Sequence, residues 1–290
     1  MVEERSKERN THRLSILLIL TLLIIALLYF ASLKGLSLLI SAIAPGAFLM
    51  LYFYTKDRYD PEPRGLILKV FILGFFIAVP AAIIEYFTVS LEGTISRLFV
   101  DCFFGIALVE ESLKFLIFYI EAYKKSEFDE PIDGIIYMVA TSLGFATIEN
   151  LSYVLAGGML VAMLRAFFSV PGHALFGAIA GYYSGLAKFN PDRETGLLVR
   201  GLFQAIVYHG LFDFCILLEP ALLILVVIPM MAWLIMRVRR SITKALDLSP
   251  YKGREEVPRG LLRRLEEAYK SGRISKETYE GIKRRLVETT

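Results

Sequence analysis

The stretch LFVDCFFGIALVEESLKFLIFYIEA, residues 98–122, is apolar along most of its length yet sets Glu110 and Glu111 side by side near its centre, with Lys114 one turn on. About 20 apolar residues match the thickness of a bilayer core, and a carboxylate at that depth is costly and marks a functional site. Read as a membrane helix, the stretch points to an all-α membrane fold with a polar site inside it.

Working outward, the flanking apolar runs carry polar residues near their middles too: Glu149 and Asn150, Arg165 and His173, His209 and Asp213. Of 290 residues, 56% are hydrophobic and the mean hydropathy is +0.55, which excludes an ordinary soluble domain and predicts a polytopic membrane helix bundle. Apolar windows predict about eight transmembrane helices, at 14–33, 36–54, 66–88, 97–122, 132–155, 158–187, 196–218 and 219–237. The first follows a basic leader with Arg5, Lys7, Arg9 and Arg13, but an apolar core of about 20 residues exceeds a signal-peptide core of about 7 to 15. Between spans seven and eight, Glu219-Pro220 leaves almost no loop, so a broken or re-entrant segment is the alternative there.

Basic residues alternate between the two sides: the N-terminus, Lys56 with Arg58 and Arg64, Lys124 with Lys125, Lys188 with Arg193, and the C-terminus fall on one of them. The positive-inside rule makes that side cytoplasmic and predicts a multi-pass cell-membrane protein with both termini inside. The formal charge of +3 is mild and tracks topology, so no nucleic-acid partner is implied. Cys102 and Cys215 lie within apolar runs without metal-ligand spacing and read as packing residues.

The domain plan is a cytoplasmic N-terminus at 1–13, a membrane domain at 14–237, a linker at 238–257 and a short C-terminal cytoplasmic helical hairpin at 258–290. In the hairpin, a helix over 259–270 presents Leu261, Leu262, Leu265 and Tyr269 on one face, Ser271-Gly272 ends it, and Ser275 caps a second helix running to Leu286. Gly177, Gly181 and Gly185 recur every four residues, a smooth ridge for close helix contact. Asp57 to Pro63, acidic and with two prolines, reads either as a substrate-access element or as a rigid turn, the turn being favoured by its proline chemistry.

Lys114 lies at i+4 from Glu110 and i+3 from Glu111, so it reaches either carboxylate and is expected to neutralise one, leaving the other as general acid or base. Two of only three histidines, His173 and His209, fall in apolar spans, where imidazole serves as proton shuttle, oxyanion donor or metal ligand. Asp213, at i+4 from His209, can orient that ring or help polarise the substrate; Arg165, Ser169 and His173 form a polar stripe on span six, with Arg165 snorkelling outward as the alternative. The expected catalytic set is Glu110, Glu111, Glu149, His173, His209 and Asp213, supported by Lys114, Asn150 and Tyr153. One hydrolytic design has a glutamate activate water; its rival is a zinc site of Glu149, His173 and His209 with a glutamate base, although HExxH is absent. The cofactor expectation is therefore either none or a divalent metal such as zinc. A proton-coupled transporter using the same Glu, His and Lys residues is the alternative function.

The ordered motifs Asp57-Arg-Tyr-Asp-Pro-Glu-Pro63, Glu110-Glu111-Ser-Leu-Lys114, Phe145-Ala-Thr-Ile-Glu149-Asn150 with Tyr153, His173 with Gly177, and His209-Gly-Leu-Phe-Asp213 resemble the PrsW family of intramembrane proteases, within the CAAX protease and Abi superfamily. Lys114 and Glu149 depart from the CAAX-type pattern, so prenyl-protein processing is not implied. The resemblance implies an intramembrane endopeptidase whose site is built from the paired glutamates and the histidines. It also implies a single-span, anti-sigma-factor-like substrate cut at site 1 in the lipid bilayer. The tail resembles the SHOCT hairpin and implies a homo-oligomer or protein-partner contact.

Overall fold

A computed structural model describes residues 34–252, 265 and 268–288, so the N-terminus, the span expected at 14–33 and most of the first hairpin helix lie outside the described residues. Helices α1 (Lys34–Tyr54) and α2 (Arg64–Thr88) come first. A continuous helical rod follows: α3 (Ile95–Val100), a π-helical turn over Asp101–Ala107, α4 (Leu108–Phe118) and a second π turn over Tyr119–Tyr123. Then come α5 (Pro131–Phe167), α6 (Ser169–Lys188), α7 (Glu194–Leu218), α8 (Ile228–Asp247) and, in the tail, α9 (Lys276–Glu288). No strand occurs among the described residues, as the all-α reading predicts.

Among the described residues, four stretches are long and apolar enough to cross a membrane: Gly35–Tyr54, Arg64–Thr88, Pro131–Lys188 and Pro191–Leu218. The rod is not among them, because Asp101, Glu110, Glu111 and Lys114 interrupt its apolar surface.

The hub is α5. Pro131 opens it, where a missing N–H costs nothing, and every residue from Pro131 to Thr147 is buried, the pattern of a helix enclosed on all sides. Its neighbours are α1, α2, the α4 segment and α6. On α6 the glycine ridge faces it: a Cβ at Gly181 would lie 2.1 Å from the Gly134 carbonyl oxygen, and one at Gly185 2.0 Å from that of Pro131. Small residues thus let two backbones touch and lock the register of α6 on α5.

The expectation of one helix at 158–187 is corrected. Gly158 adopts φ 73° and ψ −160°, a conformation open to glycine, which kinks α5 near its end. The chain then breaks again at Phe168 (φ −120°, ψ −61°), and α6 starts only at Ser169. Uniform hydropathy across 159–187 conceals both breaks. Arg165 and His173 therefore sit on different helices and form no single stripe.

A second correction concerns the end of the membrane domain. After the turn at Glu219-Pro220, a π turn (Leu223–Val227) leads into α8, which continues past Arg237 to Asp247. Residues 238–247 are helix and not linker, because Val238, Ile242 and Ala245 form a buried stripe and α8 packs on α6. In the tail, Ser275 Oγ accepts from Thr278 N at 3.1 Å as a helix cap, and Tyr269 stacks on Tyr279.

The loops with the alternating basic residues gather at one end. Lys188 Nζ donates to the Tyr123 carbonyl, Tyr123 OH to Glu194, Tyr137 OH to Glu62 and Tyr251 OH to Asp129.

Candidate active site

On α4, Glu110 and Glu111 diverge by one helical step, about 100°, and the difference decides their roles. Glu110 lines a cavity of about 780 Å³. Glu111 points behind it, with no solvent exposure. Lys114, fully buried, donates to Glu110 Oε2 at 2.9 Å, to Glu111 Oε1 at 2.8 Å and to His173 Nδ1 at 3.0 Å, while resting 4.1 Å above the Phe145 ring. The expectation that the lysine neutralises one glutamate is corrected: its three donors let it bond to both at once and to the histidine.

An ammonium has no acceptor, so His173 Nδ1 accepts from it and Nε2 carries the proton. That Nε2 donates to Glu149 Oε2 at 2.8 Å. Glu149 is held from its other oxygen by Arg165, at 3.1 Å. Arg165 faces inward instead of snorkelling outward: its Nε donates to Asn150 Oδ1 at 2.9 Å, and its guanidinium lies 4.3 Å over the Tyr153 ring. Asn150 in turn donates to the Ala42 carbonyl at 2.7 Å, tying α1 to the same network.

His209 on α7 faces carboxylates from both ring nitrogens. Nδ1 meets Glu111 Oε1 at 2.8 Å, and Nε2 meets Asp213 Oδ2 at 3.3 Å and Glu110 Oε2 at 3.9 Å. The two imidazoles sit edge to face with centroids 5.1 Å apart, and Phe176 stacks on His209. The structure thus brings all six expected catalytic residues together. Of the three supporting residues, Lys114 joins the two glutamates and Asn150 and Tyr153 hold Arg165.

Sequence reasoning missed Glu85. It lines the same cavity, its Oε1 is buried and accepts no hydrogen bond among the described residues, and Glu110, Glu149, Lys114 and His209 are charged groups around it. A lone glutamate late in the apolar run 66–88 was the available signal. Exposed apolar side chains line the open part of the cavity, Val79, Ile83 and Phe87 from α2, Leu164 from α5 and Leu217 from α7.

Glu110, Glu111, His173 and His209 each offer a ligand atom within 4.8 Å of the others. Two carboxylates and two imidazoles are a donor set that zinc accepts, and Glu111 Oε2 is buried without a hydrogen-bond partner. The residues therefore fit a divalent ion, which would compete with the Lys114 ammonium for the same lone pairs. Glu149 is outside this set, its oxygens being taken by His173 and Arg165.

A buried carboxylate–imidazole site in a cavity whose open part is lined by apolar side chains, in a bundle of membrane-length helices, defines a membrane-embedded hydrolase. The chain matches the PrsW family intramembrane metalloprotease over residues 62–236. It belongs to that family and is an intramembrane protease. Its relatives include Protease PrsW of Geobacillus kaustophilus, 39% identical over 181 residues that cover 62% of this chain and 80% of that protein. Protease PrsW of Bacillus subtilis is 40% identical over 175 residues, covering 60% and 80%, and that of Clostridioides difficile is 35% identical over 209 residues, covering 68% and 87%. No solved structure matches the chain.

Proposed function

We propose that the protein cuts a single-span membrane protein at a peptide bond drawn into the cavity, with Glu110 as the general base. The observation that carries this reading is that Glu110, and not Glu111, lines the cavity beside His173 and His209. A water held against Glu110 gives its proton to that carboxylate as its oxygen attacks the carbonyl carbon. The oxyanion that forms is stabilised by N–H donors at the site, His209 foremost. The C–N bond then breaks and Glu110 returns the proton to the leaving amine. Glu111 positions Lys114 and His209, while Glu149 and Arg165 fix the tautomer and orientation of His173. A zinc ion held by Glu110, Glu111, His173 and His209 would supply Lewis-acid polarisation and a more acidic water.

An anti-sigma-factor-like substrate is the fitting class by family resemblance, with the tail hairpin as a contact for a second copy or a partner. The end that gathers Lys56, Arg58, Lys124, Lys125, Lys188 and Arg193 is the cytoplasmic one by the positive-inside rule, in a multi-pass cell-membrane topology. The test is a reconstituted cleavage assay on single-span substrates, comparing wild type with Glu110→Gln and Glu111→Gln, with and without a strong chelator. Loss in Glu110→Gln with folding retained is expected, and chelator sensitivity separates a metal-dependent reaction from a glutamate-only one. Undiminished cleavage by Glu110→Gln overturns the assignment of the base.

A further inference from the structure

At the end of α5 remote from Glu149 lies a second group of buried acids that the peptidase reaction does not use. Asp57, Glu130 and Asp133 come from the α1–α2 loop, the residue before α5 and its first turn, and each offers a carboxylate oxygen within 4.8 Å of the others. Asp57 is 6% exposed, and Glu130 and Asp133 not at all. One oxygen of each aspartate is engaged by backbone: Asp57 Oδ2 accepts from Glu62 N at 2.9 Å, and Asp133 Oδ2 accepts from Asp129 N at 2.8 Å and Glu130 N at 2.7 Å. The other halves, Asp57 Oδ1 and Asp133 Oδ1, are buried and accept no hydrogen bond among the described residues, and the Glu130 carboxylate, also buried, caps the first turn of α5.

The backbone contacts orient these carboxylates, and their unpartnered oxygens converge. Glu62 and Asp129 add further negative charge around them. Several buried like charges cost several kcal/mol each unless something positive joins them. The donor set is all oxygen, which selects hard cations over zinc or copper. Its spread suits an ion with ligands at about 2.3–2.6 Å, whose opposite ligands stand about 5 Å apart.

We propose that Asp57, Glu130 and Asp133 form a binding site for a hard divalent cation, Mg²⁺ or Ca²⁺, separate from the catalytic residues. The ion pins the α1–α2 loop to the start of α5, and Ser249, which faces Glu130, brings the segment after α8 to the same point. Since α2 and α5 both wall the catalytic cavity, the site fastens the base of two of its walls.

The test uses the purified full chain and Tb³⁺ as a probe, excited through tyrosine. Tyr137 donates to Glu62 and Tyr251 to Asp129, which places both rings close enough to sensitise a bound lanthanide. A saturable signal that Ca²⁺ or Mg²⁺ displaces is expected, and the stronger competitor identifies the ion. Binding should weaken at least tenfold in Asp57→Asn and Asp133→Asn, whose amide oxygens can still accept the backbone N–H groups, and persist in His209→Ala. A parallel rise in Tm with added Ca²⁺ or Mg²⁺ should vanish in the same two variants. Glu130→Gln serves if either fails to fold. Equal Tb³⁺ binding in wild type and these variants, loss of the signal in His209→Ala, or no cation-dependent signal or Tm shift in wild type each overturns the proposal.

Discussion

Two groups of buried carboxylates lie along α5, and they are solvated in opposite ways. Around Glu149, each acid except Glu85 meets a side-chain cation or imidazole: Lys114 joins Glu110 and Glu111, His209 joins Glu111 and Asp213, and Arg165 with His173 holds Glu149. Around Asp133, the partners are backbone N–H groups and tyrosine hydroxyls. The first group holds its charge in fixed geometry for chemistry. Among the described residues no basic side chain hydrogen-bonds to the second, and its behaviour should follow protons and cations.

The largest effect expected is on catalysis. Glu110→Gln removes the base at the cavity wall and should lower cleavage by about 10² to 10⁴-fold, the usual worth of a general base, with thermal stability little changed. Lys114→Met should cut activity and also strip two buried carboxylates of their shared cation, costing about 3–5 kcal/mol of stability. Thermal unfolding in detergent checks it, and a variant as stable as wild type would show that the lysine does not hold the cluster together. Gly181→Leu drives a side chain into the Gly134 backbone and should cost about 1–3 kcal/mol or more by overpacking. A fall in cleavage alongside it would show that α6 carries His173 to Glu149 through that contact.

The smallest effect sharpens the contrast most directly. Burial raises Asp57 from 3.8 to about 8 and Glu62 from 4.5 to about 7, so the folded chain binds more protons there than the unfolded one. Stability from these groups is therefore fully present below about pH 4 and lost as pH rises toward 8. Asp57→Asn should flatten that slope in a Tm-against-pH series, whereas Glu149→Gln should leave it unchanged.

How much was legible depended on what surrounded each residue. Glu110, Glu111, His173, His209 and Asp213 stood out because polar groups in long apolar runs have no bland explanation, and helical spacing linked Lys114 to both glutamates and His209 to Asp213. Arg165 pointed two ways because its neighbours Asn150 and Glu149 come beside it only where Gly158 turns the chain, the first of two breaks of which Phe168 is the second. Those breaks were hidden because leucines, methionines and alanines continue across them at unchanged hydropathy. Glu85 drew no reading of its own, and Asp57 and Glu62 read as part of a rigid turn, since burial by a distant segment leaves no local trace in sequence.

The π turn at Asp101–Ala107 sets the rotational phase of the helix that follows it. Each residue added to or removed from a helix turns everything beyond it by about 100°, and a π turn absorbs one such step. A second one, at Tyr119–Tyr123, lies beyond the glutamates. Between them the stretch from Leu108 to Phe118 behaves like a key cut to one angle. Deleting a single residue from 101–107 would leave the length and apolarity of the rod almost untouched, yet it would swing Glu110 out of the cavity and leave another side chain facing the substrate.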